Sequence, residues 1–96
     1  MIYISGPISN TDDYLYRFNK AEAQLEYDLF IPINPARILN ELPVSYLEYK
    51  DLMKLCLDLL SMCDCIYMLT GWENSKGACL EHEFAITHNY KIFYQE

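Results

Sequence analysis

Residues 70–81 carry the polar groups with the most chemical potential in this chain. They read Thr-Gly-Trp-Glu-Asn-Ser-Lys-Gly-Ala-Cys-Leu-Glu and join an apolar, strand-like run to a helix-like one. Gly71 and Gly77 permit a tight turn, while Ser75 and the first helical N–H groups can hold an anion. Glu81 projects one turn into the helix. The spacing therefore predicts a binding site for a small phosphorylated molecule.

Strand-like and helix-like segments alternate around this junction. Residues 2–5, 29–33, 65–69 and 91–94 have the composition of strands, and helical spacing is found near 12–28, 36–42, 45–63 and 78–88. Ser45 is the predicted N-cap of the third helix, and Met62 belongs to its apolar stripe. Leu80 is predicted on the buried side of the last helix with Phe84 and Ala85.

This alternation predicts an α/β fold, a small doubly wound parallel sheet with helices on both faces. Pro32 lacks an N–H and therefore favours an edge position for the second strand, which gives the strand order 2-1-3-4. Ligands bind where such an order reverses, between strands one and three. The loops 6–10 and 71–77 should meet there and bring five residues near one ligand: Tyr3, Ser9, Trp72, Ser75 and Glu81.

The composition limits the classes of function. Ninety-six residues suffice for one domain over 1–96, and 14 acidic against 7 scattered basic residues give a net charge of −7. Nucleic acid and anionic membranes are therefore poor partners. No apolar stretch is long enough to cross a bilayer and no leader is evident, which predicts a cytoplasmic protein. The Cys63-Asp64-Cys65 motif lacks further ligands at metal spacing, so neither a metal nor a cofactor is expected.

The sequence resembles the nucleoside 2-deoxyribosyltransferase-like superfamily, in particular its short branch, over nearly the whole chain. The resemblance is carried by the segments 3–9, Asn34-Pro35-Ala36, Cys63-Asp64 with Ile66, Gly71-Trp72-Glu73, Ser75, Gly77-Ala78, Glu81 and Ala85. It implies cleavage or transfer at an N-glycosidic bond of a nucleoside or nucleotide.

The resemblance also implies individual roles. Glu81 matches a nucleophilic glutamate that forms a glycosyl ester, and Tyr3 resembles the tyrosine that orients it. Ser75 is similar to a serine that holds a 5′-phosphate, although a serine before a helix can equally be an N-cap. Trp72 could stack on a base or cover the core. The full predicted substrate-binding set is Gly6, Pro7, Ser9, Asn34, Trp72, Ser75 and Gly77.

Two departures keep a second interpretation open. At the position of Cys56 the resemblance implies an aspartate in active relatives. At the position of Ser9 it implies an arginine in relatives that cleave phosphorylated substrates. The chain is therefore either an N-glycosidase or deoxyribosyltransferase-like enzyme, or a non-catalytic module that binds a nucleotide-derived ligand. Nine tyrosines in a short chain predict an interface and a homodimer or larger homo-oligomer.

Overall fold

A computed structural model describes residues 1–8, 11–42 and 47–96. Within these ranges strands and helices alternate along the chain. The elements are β1 (Ile2–Ser5), α1 (Tyr14–Tyr27), β2 (Pro32–Ile33), α2 (Pro35–Asn40), α3 (Tyr49–Ser61), β3 (Cys65–Met68), α4 (Lys76–Thr87) and β4 (Lys91–Tyr94). A short 3-10 turn, Trp72–Asn74, precedes α4.

The strands form one parallel sheet in the order β2-β1-β3-β4, which confirms the predicted α/β class and strand order. β1 is central and all four of its side chains are buried. It pairs with β3 along its whole length, from Ile2 opposite Cys65 to Ser5 opposite Met68. β2 lies at an edge, as expected from Pro32. The strand order reverses between β1 and β3, so the crevice lies beyond their carboxyl ends.

Helices cover both faces of the sheet, and the alternating side chains of β1 pack against both layers. Tyr3 packs with Cys56 and Leu60 of α3 and with Ala78 and Ala85 of α4. Ile2 and Ile4 point to the opposite face and pack with α1 through Phe18, Ala21 and Leu25. Successive residues of a strand point to opposite faces, so one short strand holds the two cores together.

Two side chains predicted in apolar stripes lie at the surface. Met62 is 61% exposed at the end of α3, and Leu80 is 41% exposed on α4. The buried side of α4 instead follows Ala78, Glu81 and Ala85. The prediction for Leu80 was wrong because a hydrophobicity pattern treats a glutamate as a surface residue, whereas Glu81 points into the core.

The third helix begins later than its sequence pattern indicated. Its N-cap is Glu48, whose N–H donates to the Asp51 carboxylate at 3.2 Å. Ser45, the predicted cap, lies outside the described residues. Tyr16, Tyr27, Tyr49 and Tyr94 are exposed, and self-association stays a prediction. No helix in the described part of the chain is long and apolar enough to span a bilayer.

Close packing beyond β1 requires the absence of a side chain at Gly6. A Cβ there would lie 2.8 Å from Leu69 Cβ, closer than carbon atoms approach without displacement. A Cβ on Gly77, in α4, would lie 3.1 Å from the sulfur of the flexible Met53 side chain. Substitution of Gly6 tests a contact with the Leu69 Cβ, which is fixed by the backbone. Substitution of Gly77 tests a contact with the end of a side chain that can move.

Gly6→Ala should lower the free energy of unfolding by roughly 1 to 3 kcal/mol, because overpacking forces the strand and Leu69 apart. Gly77→Ala should change it by less than about 1 kcal/mol, because the better helix propensity of Ala offsets the contact with Met53. Urea denaturation of both variants measures the difference. A Gly6→Ala protein as stable as wild type would contradict this interpretation.

Candidate functional site

Glu81 lies in the crevice because α4 approaches the sheet through two alanines. Ser75 caps the helix, accepting a hydrogen bond from the Ala78 N–H at 3.2 Å. Glu81 follows one turn after Ala78 and is only 6% exposed. The small side chains of Ala78 and Ala85, on either side of it, allow close packing. The carboxyl group therefore sits between the helix and the face of β1.

Two hydroxyl groups of β1 hold this carboxyl group. The Tyr3 hydroxyl donates to Glu81 Oε2 at 2.5 Å, and the Ser5 hydroxyl donates to Oε1 at 2.7 Å. Tyr3 and Ser5 are two residues apart on a strand, so their side chains share a face. Both carboxyl oxygens have a donor, and the orientation of the group is fixed.

Burial dominates the electrostatics of the site. It raises the pKa of Glu81 from 4.5 to about 7, although the hydrogen bonds from Tyr3 and Ser5 act in the opposite direction. Burial and the neighbouring Glu81 charge raise the pKa of Tyr3 well above 10. Burial likewise raises the pKa of Cys56 to about 11, with a further contribution from Glu81. Near neutral pH the carboxyl group exchanges protons, while the phenol and the thiol keep theirs.

A cavity of about 120 Å³ opens above these groups. Its polar lining consists of side chains from β1, α3 and α4, and its remaining wall is mainly aliphatic and aromatic. The lining residues are Tyr3, Ile4, Gly6, Ile8, Phe18, Pro35, Leu39, Tyr49, Leu52, Met53, Cys56, Ser75, Gly77, Ala78 and Glu81. A mostly apolar concavity with a few convergent polar groups is the usual form of a small-molecule site.

Five predicted site residues line this cavity together: Tyr3, Gly6, Ser75, Gly77 and Glu81. The two loops also meet, since Pro7 Cγ lies 3.7 Å from the position that a Cβ on Gly71 would occupy. Pro7 itself is outside the cavity lining. Ser9, which belongs to the same loop, lies outside the described residues.

Trp72 and Asn34, two of the predicted binding residues, do not line the cavity and contact other side chains. The Trp72 ring stacks on His82 at a centroid distance of 4.2 Å, beside Tyr94. Asn34 is buried and caps α2 by accepting from the Arg37 N–H at 3.2 Å, while its amide donates to Glu22 at 2.9 Å. Neither side chain is available to a ligand bound beside Glu81 in this arrangement.

Several residues of the site were not among the predicted site residues. Ser5, which donates to Glu81 but does not line the cavity, could have been found from its spacing of two from Tyr3 on one strand. Tyr49, Leu52 and Met53 come from α3, and nothing in their local sequence separates them from ordinary amphipathic helix residues. Cys56 was identified only as a departure, and its position in the wall beside Tyr3 and Glu81 makes it part of the site.

The described residues contain no cluster of three or more His, Cys, Asp or Glu side chains suited to a metal ion. A desolvated carboxylate with a fixed orientation can act as a nucleophile towards an electrophilic carbon. Protonated, the same group could donate its proton. Tyr3 and Ser5 both donate to it and so favour the ionised form.

The sequence profile of the family described as a domain of unknown function, DUF4406, matches residues 1–94. The chain belongs to this family. No curated protein and no solved structure matches it. The DUF4406 match covers every strand and helix described above, including both sides of the crevice. Because that description assigns no activity, the function of this DUF4406 chain has to be argued from its cavity.

The raised pKa of Glu81 predicts how the stability of this DUF4406 protein depends on pH. Between pH 4.5 and 7 the folded protein keeps a proton that the unfolded chain has released. Stability therefore falls as pH rises through this window. Relative to Glu81→Gln, wild type should lose about 3 kcal/mol of unfolding free energy between pH 4.5 and 8.

Urea denaturation of both proteins across this range gives the difference directly, and charges elsewhere cancel in the comparison. Glu83→Gln is the matched control, because Glu83 is exposed on the same helix. Its stability curve should run parallel to that of wild type. A Glu81→Gln curve that also runs parallel would contradict the raised pKa.

Proposed function

We propose that this protein binds a nucleoside or nucleotide in the cavity and cleaves or transfers at its N-glycosidic bond. The observation that carries the proposal is the Glu81 carboxyl group, buried beside the cavity with one oxygen held by Tyr3 and the other by Ser5. Attack by this carboxylate on the anomeric carbon breaks the C1′–N bond, releases the base with the electron pair and gives a glycosyl ester. Water or a second base then takes the sugar, which divides one difficult displacement into two easier ones.

The position of Glu81 suits a nucleophile for a physical reason. A carboxylate in water is strongly hydrated and must lose that hydration before it attacks. Here burial has removed most of the water, and two hydroxyl groups orient the oxygens without neutralising their charge. Because folding already removes most water from the carboxylate, substrate binding does not have to supply the free energy for that step.

Ser75 supports a phosphorylated substrate within the same proposal. It lines the cavity at the start of the twelve-residue helix α4, where N–H groups and the helix dipole favour an anion. Its side chain already caps the helix, and capping does not prevent a second contact through the hydroxyl proton. A 5′-phosphate near Ser75 would direct the sugar towards Glu81, six residues further along the chain.

A binding module without catalysis is the second candidate, and Cys56 favours it. Cys56 occupies the wall beside Tyr3 and Glu81, and a thiol of high pKa is a poor donor of protons to a departing base. In this alternative the cavity sequesters a nucleotide-derived ligand. The two candidates differ in whether a bound ligand is converted.

Glu81→Gln should abolish release of free base from nucleosides and 5′-monophosphates, with a loss of at least about 1000-fold, because the amide cannot form the ester. Chromatography detects the base, and titration calorimetry measures binding of the same compounds. Glu83→Gln is the control and should keep wild-type activity. Tight binding of one nucleotide without base release, unchanged in Glu81→Gln, would instead establish the sequestering module.

Ser75→Ala should weaken binding of a 5′-monophosphate about 10- to 100-fold, the equivalent of one hydrogen bond to a charged group, and should leave the nucleoside nearly unaffected. Ser75→Asp is the matched variant, because aspartate is an equally good N-cap but repels phosphate. It should keep the stability of wild type and lose selectivity for the phosphate. Equal weakening of nucleoside and monophosphate would show that the phosphate lies elsewhere.

A further inference from the structure

The cavity combines one nucleophile with weak acids only. Apart from Glu81, its ionisable lining residues among the described ranges are two phenols and a thiol: Tyr3, Tyr49 and Cys56. The residues outside those ranges are Ser9, Asn10, Pro43, Val44, Ser45 and Tyr46, whose side chains include no carboxyl, imidazole or ammonium group. The chain itself therefore supplies no second group of ordinary acidity for this cavity.

This composition decides which N-glycosidic bonds can break. When the base is neutral, the C1′–N electron pair leaves on nitrogen as an anion unless an acid protonates the ring. Tyr3 cannot serve as that acid, because its hydroxyl already donates to Glu81 and its pKa is raised well above 10. The Cys56 thiol, with a pKa of about 11, is equally unsuited. A base that is cationic before cleavage needs no acid, because the electron pair neutralises it as it leaves.

The electrostatics of Glu81 support the same class of ligand. Buried charges are normally paired with an opposite charge, yet the ion pairs found among the described residues all join other groups. Glu81 has two neutral donors and no cation. The exposed Lys76 has its ammonium group 5.7 Å from the Tyr49 ring centroid and takes part in none of these ion pairs. A cationic ring in the cavity would supply the missing counter-charge.

We infer that the substrates are cationic N-glycosides, nucleosides or nucleotides whose base carries a positive charge while attached to the sugar. The inference rests on the proposed function and deepens it. The Glu81 carboxylate forms a bond to C1′ as the C1′–N bond breaks, and the base departs neutral with the electron pair. Water then attacks C1′, the carboxylate is regenerated, the sugar gains a hydroxyl group and one proton passes to solvent. The aliphatic and aromatic wall accommodates a planar ring, and cationic rings pack well against aromatic side chains.

The test compares neutral and cationic bases. Guanosine and 7-methylguanosine form the matched pair, nicotinamide riboside is a second cationic compound, and each is used as the nucleoside and as its 5′-monophosphate. Base release is followed by chromatography after subtraction of the rate without protein. We expect kcat/KM for the cationic members to exceed that of guanosine by at least about 100-fold, the usual contribution of a general acid. The rate for nicotinamide riboside, whose ring has no proton to lose, should rise with pH through about 7 and show no descending limb.

The outcomes separate this inference from the proposed function. Cleavage of guanosine at a rate comparable to 7-methylguanosine would overturn the inference and keep glycosidic cleavage. No release from any compound would overturn both. Cleavage restricted to the cationic members, and abolished in Glu81→Gln, would establish both.

Two variants of Cys56 examine the missing acid directly. Cys56→Asp places a carboxylic acid in the wall beside Glu81, where like charge keeps one proton on the pair. It should gain cleavage of guanosine, whereas Cys56→Asn, of similar size but without an acid, should not. Equal guanosine cleavage by the two folded variants would contradict the inference. Should the Asp variant fail to fold, the comparison of substrates with wild type still decides.

Discussion

The two hydrogen bonds that β1 donates to Glu81 are the interaction on which the rest of the structure depends. A buried carboxyl group is costly unless its oxygens find donors, and Tyr3 and Ser5 satisfy both of them. These bonds join the central strand to α4, so the helix can pack at only one height along the sheet. Ala78 and Ala85 permit that packing because larger side chains would hold the helix away. The same contacts that stabilise the fold therefore orient the group proposed to react.

Much of the fold could be predicted because its determinants are local or topological. Alternating strand and helix patterns require right-handed crossovers, and Pro32 assigned the second strand to an edge, which left one strand order. The errors arose where a tertiary contact overrides a local pattern. Leu80 was predicted inside, yet it is exposed, and the neighbouring Glu81 occupies the buried side of the helix. Hydroxyl groups 76 and 78 residues earlier in the chain cause this reversal.

The site was predictable to a similar degree. The reversal of strand order located the crevice, and the resemblance selected Tyr3, Ser75 and Glu81, which line one cavity. Trp72 and Asn34 have the right chemistry for a ligand, but His82 and Glu22 are their actual partners. Sequence shows what a side chain can bind and not which of several partners lies nearest. The contribution of α3 to the cavity lining could not be predicted for the same reason. An amphipathic pattern predicts that one face of the helix is buried but not which of its residues line a cavity.

The bond between Tyr3 and Glu81 also has a consequence for how the protein is made. It joins residues 78 positions apart, and the strand that donates it is synthesised before the helix that accepts it. During translation the Tyr3 and Ser5 hydroxyl groups of β1 have no Glu81 carboxyl group to bind until α4 has left the ribosome. Non-local contacts of this kind form late, because the intervening chain must close first. The core between α1 and β1 can begin to assemble earlier, but the carboxyl group acquires its donors only after α4 has been synthesised. A truncated chain lacking α4 would thus carry no partially formed site.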